Sequence, residues 1–135
     1  MRNPQSIAVT KCRALARNVF RAALLAAVIP AGLVQADDLG QKSFELCIAC
    51  HSLKAGEQGV GPSLYQVMGR TAGSAEGFRF SGPMKRSGIV WDRVTLGTFL
   101  RNPQEAVPGT RMPFSGMADE ASIQALVDYL EKVTK

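Results

Sequence analysis

Cys47-Ile48-Ala49-Cys50-His51 is the stretch that decides how the rest of this chain is read. Two thiols separated by two residues, with an imidazole directly after them, form a compact donor set, and His51 is the only histidine in the sequence. A structural zinc site needs four ligands and a catalytic one needs three plus water. No second Cys or His cluster is present to complete the first kind. A thioredoxin-like pair would sit near a βαβ pattern, whereas the flanks here are helical or rich in Gly and Pro. The reading that accounts for all three residues is covalent haem attachment, with both thiols joined to the vinyl groups and His51 beneath the iron.

The remaining axial position has few candidates. With no second histidine, a methionine is the natural partner, and a His/Met pair gives an electron-transfer haem of raised potential. Met68, Met84, Met112 and Met117 lie outside the N-terminal segment. Any one of them can equally be core filling. Met112 is favoured because Pro108, Gly109 and Pro113 frame it in a stiff loop suited to approaching iron from the far side.

Residues 1–36 are of a different kind. They hold Arg2, Lys11, Arg13, Arg17 and Arg21 with no acid, then an uncharged apolar run over 22–34, then Gln35 and Ala36. A basic start, a short apolar run and small residues Val34 and Ala36 at positions −3 and −1 describe a secretory signal cleaved after Ala36. The run is short for a membrane span of about 20 residues. An uncleaved anchor and a mitochondrial transit peptide are the alternatives, and no adjacent arginine pair supports a twin-arginine route. The expected organisation is therefore signal peptide 1–36 and one domain over 37–135, exported to the periplasm.

This division changes the meaning of the charge. The whole chain carries +5, which by itself would suggest nucleic acid or an anionic membrane as partner. Five of its sixteen basic residues and none of its eleven acids lie in 1–36, so 37–135 holds eleven of each sign. The nucleic-acid reading loses its support. A monomer without stable membrane insertion after cleavage is expected.

Beyond the motif, Gly61-Pro62-Ser63-Leu64, Gly69-Arg70, Gly88-Ile89-Val90-Trp91, Leu100-Arg101-Asn102-Pro103 and Pro108-Gly109-Thr110-Arg111-Met112 follow in a fixed order. With these segments the chain resembles the class I monohaem cytochromes c, of the cytochrome c2 and mitochondrial type, over essentially all of 37–135. The resemblance implies an all-α cytochrome c fold: three main helices plus short helices and loops around one covalent haem c. It implies thioethers at Cys47 and Cys50, His51 and Met112 as iron ligands, and the Pro62 carbonyl as acceptor for the other ring N–H of His51. It further implies that Arg70, Trp91 and Thr110 lie near a propionate.

Three positions depart from the family pattern. Phe99 and Phe80 stand where tyrosines are usual, and Met84 where an asparagine is. These make the site more apolar and move its potential, because hydrogen bonding and burial set that quantity. Leu46, Gly59, Gln104, Ala118 and Asp119 occupy positions where mitochondrial relatives carry rim lysines, while Arg111 keeps its charge. Weak dependence of electron transfer on salt is expected.

The implied activity is that of a periplasmic electron carrier, not an enzyme, serving redox protein partners. A subunit dedicated to one dehydrogenase or oxidase, and a small haem peroxidase, are the alternatives. For the scaffold, the pattern predicts a first helix from Asp37 or Asp38 to about Cys50, a short helix over 63–68 and an irregular loop over 71–88. A helix capped by Asp92 should run to about Asn102. A last helix over about 119–134 should bear the stripe Ile123, Leu126, Val127 and Leu130. The resemblance implies that Gly40 and Phe44 of the first helix cross Leu126 and Tyr129 of the last.

Overall fold

The stripe on the last helix organises the packing. In the computed structural model, which describes residues 32–135 and side chains from Asp37 onward, α5 spans Glu120–Val133. Ile123, Leu126 and Val127 are fully buried and Leu130 nearly so. Each such burial is worth about 1.5–3 kcal/mol. Asp119 caps the helix by accepting from the Ser122 amide, so a run with helical apolar spacing also has a defined start.

α1 (Gly32–Phe44) packs against α5. A Cβ on Gly40 would lie 2.4 Å from the Ala125 carbonyl oxygen and 2.8 Å from Cβ of Tyr129, so the helices touch backbone to backbone there. The Phe44 and Tyr129 rings meet one turn on, 5.7 Å apart and tilted at 40°. The crossing that the resemblance implies is thus present, with Gly40 against Ala125 and Tyr129 rather than Leu126. Gly40→Ala should destabilise by about 1–3 kcal/mol through overpacking. Thermal unfolding of the loaded protein reads that loss, and an unchanged midpoint would contradict the crossing geometry.

α1 differs from expectation at both ends. It begins at Gly32, so helical backbone runs through the anticipated cleavage point after Ala36, and it stops at Phe44 rather than near Cys50. From Glu45 to Cys47 the amides bond to the third residue back: Glu45 to Lys42, Leu46 to Ser43 and Cys47 to Phe44. This tightening into single turns ends the regular helix and leads the chain into the Cys47–His51 segment. The signal-peptide reading of the first 31 residues lies outside the described residues.

The helix expected over 63–68 is absent. Gln66 has φ +50°, which no right-handed helix accommodates. Its amide bonds instead to the Thr134 carbonyl at the end of α5, at 2.8 Å. Arg70 holds the turn, donating to the Tyr65 carbonyl at 3.0 Å and the Ser63 carbonyl at 2.9 Å. The loop over 71–88 is irregular except for α2 (Gly82–Arg86), capped by Ser81. Thr71 and Val90 form an isolated antiparallel bridge.

α3 (Arg93–Arg101) starts with Asp92 and Thr95 in a reciprocal capping box. Asn102 closes α3, and its side chain caps α4 (Pro103–Ala106), a short helix the sequence reading did not separate. Arg93 forks to Asp128 and Glu131 and Arg101 reaches Glu120, joining α3 to α5. The span that follows α4 is tied at several points. Thr110 bonds to the Val107 carbonyl at 2.9 Å, Gln104 to the Thr110 carbonyl at 3.0 Å, and Met117 to the Leu100 carbonyl at 2.9 Å.

Candidate functional site

The turns after α1, the Pro62 loop, α2, α3 and the span after α4 surround one cavity of about 530 Å³. That volume lies within the roughly 300–1,000 Å³ of sites that enclose a cofactor-sized molecule. Val67, Met84, Leu96, Phe99, Leu100 and Leu130 give it apolar walls. All eight residues singled out from the sequence line it: Cys47, Cys50, His51, Pro62, Arg70, Trp91, Thr110 and Met112.

His51 is fixed most tightly. Its Nδ1 lies 2.7 Å from the Pro62 carbonyl oxygen. A carbonyl only accepts, so Nδ1 carries the proton and Nε2 keeps its lone pair, the form that binds a metal. Burial lowers the pKa of His51 and the bond to Pro62 opposes that shift, leaving a neutral ring held in one tautomer. Gly61 closes in behind. A Cβ there would come within 2.4 Å of Cε1 and 2.7 Å of both ring nitrogens. Sequence reading gave Gly61 no role, and its place beside Pro62 was the available signal. Gly61→Ala should push the ring off the Pro62 carbonyl and cost about 1–3 kcal/mol. Cofactor content per chain and the melting midpoint of the loaded protein should both fall, and unchanged values would rule out this packing.

Cys47 and Cys50 form no disulfide with each other. Cys47 is buried, and desolvation, with a smaller contribution from the neighbouring Cys50, pushes a thiol at this position up to about 11. Among the described residues no three His, Cys, Asp or Glu side chains converge as a metal site.

The other groups divide by chemistry. Trp91 is buried, its ring 5.1 Å from that of Phe99. Thr110 is buried and accepts the Met112 amide at 3.4 Å, which leaves its hydroxyl proton for another acceptor. Arg70 borders the cavity while two of its nitrogens are engaged on backbone carbonyls. Of the four methionines considered, Met84 and Met112 line the cavity, whereas Met68 and Met117 do not. Phe80, Met84 and Phe99 all face the same space, so the three departures from the family pattern sit together on its wall. Phe78 packs edge-on against Phe80 with centroids 4.8 Å apart.

Comparison with known proteins settles the class of this site. The cytochrome c family model matches residues 38–134. The chain belongs to the cytochrome c family. Cytochrome c2 iso-2 of Magnetospirillum molischianum is 47% identical over 88 residues, covering 65% of this chain and 91% of that protein. Cytochrome c2 of Rhodoblastus acidophilus is 46% identical over 96 residues, 70% of this chain and 90% of its own. Among solved structures, cytochrome cH from Methylobacterium extorquens superposes with a TM-score of 0.67 at 39% identity, over 71% of this chain and 97% of that one. This cytochrome c is therefore an all-α electron carrier with one covalently attached haem c per chain, and not an enzyme. Two thiols, a neutral imidazole and an apolar chamber of this size fit that group.

Proposed function

We propose that this cytochrome c carries single electrons between redox proteins in the periplasm, with its haem joined to Cys47 and Cys50 and ligated by His51 and Met112. The observation that carries the reading is the convergence of these four residues on one apolar cavity, with the His51 tautomer fixed by Pro62. The haem supplies the redox chemistry, and the chain supplies position, ligand field and dielectric.

Each residue has a defined task. Cys47 and Cys50 would hold the group through thioethers, each thiol adding across a vinyl double bond so that nothing leaves. Pro62 raises the basicity of His51 through the shared proton. The Trp91 indole N–H and the Thr110 hydroxyl would be available to donate to a propionate, and the Arg70 charge would favour its ionised form. Phe80, Met84 and Phe99 keep water from the ring. With His51 and Met112 both engaged on the haem, this chain would offer no open place for a substrate, and the haem would supply outer-sphere electron transfer.

Export of the full chain tests location and cleavage together. A reduced-minus-oxidised spectrum of the periplasmic fraction should show a c-type haem, on a protein whose mass begins at Asp37. Retention in the membrane fraction with residues 1–36 intact would overturn the periplasmic carrier in favour of an anchored one.

A further inference from the structure

Met112 rides on a length of chain with little backbone support of its own. Among the described residues, the amides of Arg111 to Gly116 donate to no main-chain carbonyl. The length is held at its ends. Gly116, at φ +99°, lies so close to the Arg101 carbonyl that no Cβ fits between them, and the Met117 amide donates to the Leu100 carbonyl. At the other end Val107, Pro108, Gly109 and Thr110 form a turn closed by the Thr110 amide, with Gly109 at φ +84° as a type II turn requires. Arg111 donates to the Arg79 carbonyl, in a loop that is itself irregular. One side chain reaches this turn from a fixed base. Gln104 lies in α4, which is anchored by buried Pro103 and followed by buried Val107. Its Nε2 donates to the Thr110 carbonyl at 3.0 Å, although Gln104 itself is exposed.

We propose that Gln104 is a positioning residue for Met112: its amide holds the Thr110 turn in place and thereby keeps the methionine sulfur at the iron. This role rests on the ligation reading above and adds to it the side chain that enforces it. The lever is short. The Thr110 hydroxyl accepts the Met112 amide at 3.4 Å, so the two residues are coupled. Released from Gln104, they swing about Gly109, which has no side chain to restrict its dihedrals. The anchored and swung arrangements differ by one neutral hydrogen bond, which shifts their ratio about three- to tenfold. Gln104 does this without touching the haem and without bringing a charge near the iron. An incoming ligand reads the ratio directly, because its apparent affinity scales with the fraction of molecules in the swung arrangement.

The test uses the exported, loaded protein. Its ferric form is titrated with imidazole, and amide hydrogen exchange at Thr110 is measured in the reduced form without added ligand. Gln104→Leu, which nearly keeps the size and removes the donor, should tighten imidazole binding and quicken Thr110 exchange, each about three- to tenfold. Gln104→Arg supplies N–H donors on a group that stays protonated and so cannot ligate iron, and it should bring both values back towards those of the parent. Gly40→Ala separates positioning from general loosening. It acts at the α1–α5 contact, so the melting midpoint should fall while imidazole affinity stays the same. Unchanged imidazole affinity in Gln104→Leu, an equal gain in Gly40→Ala, or no recovery in Gln104→Arg would each overturn the proposal. Met112→Ala tests the reading beneath it: loss of the sulfur-to-iron absorption supports ligation by Met112, and its persistence would overturn that assignment.

Discussion

The chain prepared without its cofactor, as Cys47→Ser with Cys50→Ser, should show no cooperative unfolding transition. Cavity volume sets the scale. At about 24 cal/mol per Å³, the 530 Å³ chamber would cost ~13 kcal/mol if it stayed open. Whole domains are stable by only about 5–15 kcal/mol. Water is a poor filler, since Val67, Leu96, Phe99 and Leu100 offer it no hydrogen bonds. Collapse is opposed as well, because the walls come from α2, α3, α5 and three loops that the helix caps and backbone bonds hold apart. Helices α1 and α5 can still associate, so far-ultraviolet circular dichroism should retain helical signal while the near-ultraviolet signal is lost. A sharp thermal transition close to that of the loaded protein would show that the chain closes its own core.

Replacing Met112 by alanine should lower the reduction potential by a few tenths of a volt, within the ~0.8 V that axial ligands span. The neutral thioether favours the reduced iron, and losing it leaves a weaker or aqueous ligand. Met84→Ala is the necessary companion, because Met84 also lines the cavity. It should leave ligation intact and cost about 2–5 kcal/mol of stability as a buried truncation. Ferric spectra and potentiometry separate the outcomes: if Met84→Ala removes the sulfur ligand and Met112→Ala does not, the assignment passes to Met84.

The residues proposed to hold the haem were legible as candidates because their chemistry is written in local spacing, and all four line the one cavity. Cys47, Cys50 and His51 announce one another, and the Pro-flanked loop marks Met112. The stripe on α5 and the Asp92 cap were readable for a similar reason, being periodic or capping signals a few residues long. What escaped depends on contacts distant in sequence. Gln66 forgoes a helix because its amide meets Thr134, 68 positions later. The first helix stops at Phe44 because the chain must turn to deliver Cys47, a demand no propensity records. Arg79 could not be set beside Arg111 from the sequence, since their bond spans 32 residues.

The bonds around the Met112 span have a further effect. The Thr110 amide donates to the Val107 carbonyl, the Gln104 side chain to the Thr110 carbonyl and the Met117 amide to the Leu100 carbonyl, while Pro62 and Gly61 hold His51 in place. A site that gains or loses one charge normally drags its surroundings with it. Here the groups on both faces are held by contacts that do not depend on that charge, and the wall between them is hydrocarbon with few dipoles to reorient. If His51 and Met112 hold the haem as proposed, a small reorganisation energy for electron transfer is expected from these restraints.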